Sequence, residues 1–309
     1  MKTIDVIIPT YKPDHEYFEL VEMLQKQTMP VRKIIVINTE EKYFERLVYG
    51  RKYEKKYNNI MIKHISAHEF DHGGSRRRAV KWSDADVFVM MTQDAIPADE
   101  KLIEHLLKPL EQEDVAVSYA RQLAKEDAGP IERYTRDFNY PEKSVVKGRE
   151  DIATMGIKTF FCSDVCAAYK REVYEQMGGF VKRTIFNEDM IFAANAVKAG
   201  YKVAYSADAQ VYHSHNYTGM QQFHRNFDLG VSQAQHPEIF DGISSESEGV
   251  SMVKKTIKYL WESGHKKEIF RLVYTSGCKW IGYRLGKAYR KLPKRMVLAC
   301  TSNRNYWTR

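Results

Sequence analysis

The segment DVFVMMTQDAIP, residues 86–97, decides the architecture. Five apolar residues, Val87 to Met91, run without a polar break and close on Thr92, Gln93, Asp94 and a turn at Pro97. Too short for a helix, such a run reads as a strand buried on both faces. Three similar runs precede it: DVIIPT (5–10), KIIVIN (33–38) and IMIKHI (60–65). Between them, residues 15–27 and 43–57 space their Phe, Leu, Val and Tyr residues as helices do. Strands alternating with helices predict a parallel sheet covered on both sides. Ligands collect beyond the carboxyl ends of such strands. Attention therefore falls on Pro9, Thr10 and Tyr11, on Asn38, Thr39 and Glu40, on residues 68–74, and on Thr92, Gln93 and Asp94.

Beyond this region, Val115 to Tyr119 reads as a further strand. Residues 125–151 are polar with little periodicity, which suggests a functional loop or mobile segment. Residues 160–179 read as a strand and a helix that stops at Gly178 and Gly179. From Met252 onward the pattern is helical and basic.

With 309 residues, 43% of them hydrophobic, the chain can fill one large domain plus an appendage. The expected division is residues 1–245 and 246–309. No run approaches the roughly 20 apolar residues of a membrane span. A strand beginning at Val6 implies that no secretory leader precedes it. Four cysteines are too few for a disulfide framework, and Cys162 and Cys166 lack a second pair for zinc. A reducing cytoplasm is the expected setting. Residues 254–309 hold fifteen Lys and Arg against Glu262 and Glu268, a net +13, so the rest of the +8 chain carries −5. A basic tail on a mildly acidic body argues against a nucleic-acid domain and for an appendage that binds a surface.

Four constellations carry chemistry. Asp94 at a strand end can offer an oxygen to Mg²⁺ or Mn²⁺; a turn-forming Asp is the plain alternative. Glu188 and Asp189 follow the expected N-cap Asn187 and open a helix that ends at Gly200. There a carboxylate can deprotonate a hydroxyl or merely favour the helix dipole. His213 and His215 follow the strand-like residues 209–212. They are read as diverging, so that at most one reaches a metal. Asp71, Gly73, Gly74 and Arg76 start another helix, where backbone N–H groups and arginines could meet phosphate; Gly-Gly before a helix also occurs without any phosphate.

Taken in order, VIIPTYK (6–12), Asp94, Gly178-Gly179-Phe180, Glu188-Asp189 and His213 resemble the inverting glycosyltransferases of family 2, over roughly residues 1–220. The subfamily resembled is bacterial rhamnosyltransferases, through FDHGGSR (70–76), TQDAIP (92–97) and YHSHNY (212–217). The resemblance implies a GT-A fold: α/β, a mostly parallel central sheet flanked by helices, here with a C-terminal basic helical appendage. It implies that Pro9, Thr10 and Tyr11 contact the nucleotide, that Asp71 and Arg76 lie near base and phosphates, and that Gln93 and Asp94 form the metal motif. It further implies Asp189 as catalytic base with Glu188 supporting it, His213 in the metal shell, and Ser163 and Asp164 lining the sugar pocket. Two departures stand out. Asn38 and Glu40 occupy a turn that is Asp-rich in many relatives, and Arg77 stands where relatives often carry Asn.

The implied reaction moves a sugar from a nucleotide diphosphate, dTDP-rhamnose first and UDP-sugars second, onto a glycan or lipid-linked glycan with Mg²⁺ or Mn²⁺. A nucleotidyltransferase is disfavoured because the turn after the first strand, PTYKP (9–13), is not glycine-rich. A lapsed, non-catalytic binding protein is disfavoured by the joint presence of Asp94, Asp189 and His213. Aromatics interleaved with Lys and Arg in residues 254–309 suggest an anionic membrane surface at the cytoplasmic face. A packed helical cap or a homodimer contact are the other readings of that tail.

Overall fold

The computed structural model describes residues 2–50, 53–242 and 246–308. Among them nine strands form one sheet: β1 (Ile4–Tyr11), β2 (Lys33–Thr39), β3 (Ile60–Ile65), β4 (Val87–Met91), β5 (Ile96–Pro97), β6 (Val115–Leu123), β7 (Val145–Lys147), β8 (Cys166–Lys170) and β9 (Lys202–Tyr212). Their spatial order is β3-β2-β1-β4-β8-β6-β9-β5, with β7 also paired to β9. β1 to β4 run parallel, and β6 and β9 share their direction; β8 is inserted antiparallel between β4 and β6. The sheet is thus mostly parallel, and the C-terminal ends of β1, β2, β3, β4, β6 and β9 share one edge.

The central strands β1, β2, β4 and β8 are largely apolar because both of their faces are covered. Ile7, Ile35 and Ile37 pack on one side with Phe88, Tyr169 and Phe192. Their neighbours Val6, Ile8, Ile34 and Val36 pack on the other with helix α1 (His15–Gln25), as the alternation of side chains along a strand requires. Asp14 caps α1 by accepting from Glu16 N at 3.0 Å. Tyr17, Leu20, Val21 and Leu24 form its buried stripe, each contributing about 1.5–3 kcal/mol.

Helix α2 (His72–Val80) follows β3, and α3 (Pro130–Asn139) lies within the polar stretch. That stretch is therefore not a loop. It folds as α3, β7 and short helical turns because its charges find distant partners, such as Lys125 Nζ on Glu16 at 2.7 Å. The single helix expected over residues 43–57 is instead Glu41–Val48 and Tyr53–Lys56, and residues 51–52 lie outside the described ones. Helix α4 (Glu188–Lys198) ends before Gly200, whose φ of +97° stops it as expected.

Four more helices follow: α5 (Gly219–Gln235), α6 (Glu246–Glu262), α7 (Glu268–Lys287) and α8 (Lys294–Cys300). The expected boundary at 245 abuts residues 243–245, outside the described ones. α7 lies directly against α5. A Cβ on Gly286 would stand 2.1 Å from Phe227 O, and one on Gly282 2.3 Å from Phe223 O. Glycine at these two positions lets the backbones meet. The last residues fold back on the body: Asp228 of α5 accepts from Thr301 Oγ1 at 2.7 Å and Ser302 N at 2.9 Å, and Asn305 Nδ2 reaches Ala67 O at 3.2 Å. No described helix is long and apolar enough to cross a membrane.

Candidate active site

The carboxyl edge of the sheet gathers most of the residues singled out above. Across β1, β2 and β3, Thr10, Asn38 and His64 stand side by side in register. Thr10 Oγ1 donates to Asn38 Oδ1 at 3.0 Å, and Asn38 Nδ2 lies 2.9 Å from His64 Nδ1. This polar row at three strand ends, buried at Thr10 and Asn38, includes partly buried His64, which sequence reading left inside a strand. Glu40 adopts φ +66° and accepts from Ala67 N at 2.7 Å, holding two strand-end loops together. Tyr11 is half-exposed beside Tyr43, ring centroids 5.6 Å apart, with Lys12 Nζ about 5 Å from both rings. Half-exposed Tyr11 can stack a flat ring.

Gln93 clamps β1 to the turn after β4. It accepts from Tyr11 N at 2.9 Å and donates to Tyr11 O at 3.2 Å. Its amide is thereby committed, and Asp94 is presented at a fixed height beside Pro9, Thr10 and Tyr11. Asp94 Oδ1 lies 3.7 Å from His213 Nε2, and Oδ2 lies 3.2 Å from His215 Nε2. The ligand atoms of these three residues lie within 4.8 Å of one another. Both histidines therefore converge, against the expectation of one. Residues i and i+2 along a strand project to the same face, so the expected divergence does not hold, and His213 and His215 follow β9 directly. A mixed carboxylate and imidazole set suits Mn²⁺ well and Mg²⁺ through its oxygens. Burial would raise the Asp94 carboxyl, but His215 and His213 outweigh it and hold it below the usual range. Burial pulls His213 down to about 3 against the attraction of Asp94, so its ring is neutral.

Gln122, at the end of β6, orients that ring. Its Oε1 accepts from Arg136 and lies 3.0 Å from His213 Nδ1, while its Nε2 donates to Ser163 Oγ at 3.0 Å and to Tyr140 OH at 2.6 Å. An oxygen that only accepts requires the proton on Nδ1, leaving the Nε2 lone pair facing Asp94. Gln122 was missed because the strand was read as ending at Tyr119. A buried amide near the end of a longer strand was the available signal.

From Ser163 the chain leads directly to the base candidates, for Asp164 N donates to Asp189 Oδ2 at 3.0 Å. Asp189 also accepts from Met190 N at 2.7 Å. Glu188 and Asp164 are buried beside Arg76, whose Nη1 lies 3.1 Å from Glu188 Oε1 and whose Nε lies 3.1 Å from Asp164 Oδ2. The second contact is an ion pair by distance without hydrogen-bond alignment. Tyr169 OH donates to Asp164 Oδ1 at 2.6 Å. Two carboxyls thus share one guanidinium, and the third, Asp189, feels its charge. Burial pushes Glu188 up, but Arg76 outweighs it and keeps Glu188 ionised. Burial holds Asp164 well above the usual range. Asp189 rises to about 7, through burial first and the charge of Glu188 second. A half-buried carboxyl with that value is suited to accept a proton near neutrality.

Asn187 takes the N-cap position in the left-handed region, φ +64°, but its side chain bonds Ser232 at 3.2 Å and does not cap. Asp71 caps α2 through Gly74 N at 2.8 Å and also accepts from Thr184 N at 3.2 Å. A Cβ on Gly73 would stand 2.2 Å from Val181 O, so the glycine pair serves close packing on residues 181–182. Arg77 donates to Phe180 O at 2.9 Å and to Gly178 O, clamping the Gly-Gly-Phe turn.

The family model for "Glycosyl transferase family 2" matches residues 5–178. The chain is 40% identical to the O-antigen chain rhamnosyltransferase RfbN of Salmonella typhimurium, over 98% of this chain and 96% of that protein. It is 38% identical to the O-antigen chain rhamnosyltransferase WbaN of Salmonella anatum, over 99% and 96%. Among solved structures it resembles the mannosyltransferase PcManGT of Pyrobaculum calidifontis in complex with GDP-Man and Mn²⁺, with TM-score 0.58, 15% identity, and 99% and 85% coverage. It also resembles S. aureus TarS 1–349 in complex with UDP-GlcNAc, with TM-score 0.51, 15% identity, and 94% and 92% coverage. The chain belongs to glycosyl transferase family 2 and is a glycosyltransferase of the GT-A fold.

Proposed function

We propose that this enzyme transfers L-rhamnose from dTDP-rhamnose onto a glycan acceptor in cell-surface polysaccharide assembly, inverting the anomeric centre. The observation that carries the donor and acceptor class is the near-full-length likeness to two O-antigen chain rhamnosyltransferases. Asp189 is the base. Its Oδ2 is held by Asp164 N, so its carboxylate is fixed before the acceptor arrives and takes the hydroxyl proton as the new C–O bond forms. Glu188, anchored on Arg76, keeps Asp189 from ionising at low pH and sets the window in which it works.

Thr10, Asn38 and Glu40 with Pro9 and Tyr11 form the nucleotide end, and Ser163 and Asp164 border the sugar. Asp71, Gly74 and Arg76 support this floor from beneath, and Gln93 holds the metal turn against it. Asp94, His213 and His215 would hold a divalent cation, which when bound offsets the charge growing on the departing diphosphate. Residues 1–245 carry this machinery. Residues 246–309 pack against α3 and α5 and present an outer face to an anionic membrane on the cytoplasmic side. On α7, Phe270, Val273, Tyr274, Trp280 and Ile281 are exposed along one stripe, with Lys266, Lys267, Arg271 and Lys287 nearby.

Transfer to a soluble glycan acceptor, followed by NMR of the product, tests the reaction. A rhamnoside of anomeric configuration opposite to the donor is expected; retained configuration would remove Asp189 from the role of base.

A further inference from the structure

Between α3, α5, α6 and α7 lies a cavity of about 850 Å³ that no step above uses. Its volume falls within the range of pockets built for small ligands, about 300–1,000 Å³. Phe186, Leu229, Val253 and Leu272 give it apolar walls, and Arg225 and Lys279 are two of its cations. A nucleotide diphosphate, polar along its whole length, does not match such walls. An amphiphile does.

The charge is unbalanced. Burial lowers the Lys279 amine, and its charged surroundings are Glu132, Arg136 and Arg225. Glu132 is already bound to Arg136 at 2.7 Å. Lys279 makes no hydrogen bond or ion pair among the described residues, so an anion there would meet an uncommitted ammonium. The groove also has a direction. Arg225 lies 5.4 Å from the Phe186 ring and 4.9 Å from that of Tyr217, and Tyr217 lies 4.9 Å from the ring of His215. Phe186 itself precedes Asn187 and the pair Glu188-Asp189. At another point the lining includes Trp280, which is 59% exposed and belongs to the apolar stripe of α7.

We propose that this groove holds the lipid carrier of the acceptor, with a long hydrocarbon chain along the apolar walls and its phosphate against Arg225 and Lys279. The glycan attached to that phosphate then points toward His215 and Asp189, and the chain leaves past Trp280 into the membrane. The inference deepens the glycosyl-transfer reading and rests on it.

Calorimetric titration of the full chain with n-dodecyl phosphate, n-dodecyl maltoside and inorganic phosphate separates chain from head. The expected result is one site that prefers dodecyl phosphate to either control by about 10-fold or more. Lys279→Gln should erase the preference over the maltoside, and Val253→Trp should weaken both detergents. If Val253→Trp lowers the thermal transition, Lys279→Gln decides alone. Equal affinity for the two detergents, or a preference that survives Lys279→Gln, overturns the proposal. Binding to phosphatidylglycerol vesicles with none to monomeric dodecyl phosphate also overturns it, since the outer face of α7 would then be the lipid contact. Metal-dependent donor hydrolysis by the unaltered enzyme is scored separately. Its absence would sink the transferase reading, whereas the detergent preference judges the groove.

Discussion

One guanidinium paired with two buried carboxyls, beside a half-buried third, sets the chemistry at the residue scale. Arg76 holds Glu188 ionised, and that charge adds to burial in lifting Asp189 to about 7. Below about pH 7 Asp189 already carries a proton and accepts no other, so kcat should rise with pH through that value. Glu188→Gln removes the like charge and should move the rising limb to lower pH in a kcat–pH profile; an unmoved limb would detach Glu188 from Asp189. Asp189→Asn should reduce kcat on the order of 10²-fold or more with donor affinity retained, and full turnover would sink the assignment. At the other pole, Gln122→Ala leaves the His213 ring unoriented and should weaken Mn²⁺ binding or activity about 10–100-fold, read by titrating donor binding with the metal. Asp94→Ala should abolish that metal dependence.

Asp94 and Glu188-Asp189 could be found from the sequence because each sits where an element begins or ends, which a local pattern reveals. His64, Gln122 and Arg136 could not. Each earns its place through partners between 14 and 91 residues distant. His215 was set aside through a mistaken reading of its direction, since residues i and i+2 share a face, and its Nε2 lies 3.2 Å from Asp94 Oδ2.

At the element scale, β1, β2 and β4 were plain because burial on both faces leaves them runs of Val, Ile, Phe and Met, while β3 at the sheet edge was legible despite exposed Lys63. β9 was recognised only at its end, since Lys202, Ser206 and Asp208 break its apolar run. The stretch 125–151 was misread as a loop because its polar groups are satisfied at long range. Buried Lys147 shows how: its Nζ donates to Phe161 O at 2.7 Å, Lys158 O at 2.9 Å and Tyr119 OH at 3.1 Å, steadying the segment that leads to Ser163. The α5–α7 seam carries its own prediction. Gly286→Ala places a methyl on Phe227 O and should destabilise the fold by about 1–3 kcal/mol, measured by denaturant unfolding. No change in stability would mean that the two helices do not pack this closely.

For the whole molecule, the C-terminal helices are built into the body through α5 and are basic on the outside. Asp228 accepts from Thr301 Oγ1, from Ser302 N and from Ser302 Oγ, so Ser302→Ala, which removes the last of these, should cost about 1.5–3 kcal/mol. The exposed stripe on α7 should bring the enzyme to anionic vesicles in flotation, and Phe270→Glu with Ile281→Glu should release it without altering donor hydrolysis in solution. Flotation that ignores lipid charge would remove the membrane assignment.

The catalytic account converges on release of nucleotide from one donor. Donor hydrolysis by the purified enzyme, compared over dTDP-rhamnose, UDP-glucose, UDP-galactose and GDP-mannose with and without Mn²⁺, tests it most directly. Slow Mn²⁺-dependent release of dTDP alone is the predicted result. Release of UDP or GDP in preference to dTDP, or no release and no nucleotide binding at all, would contradict it.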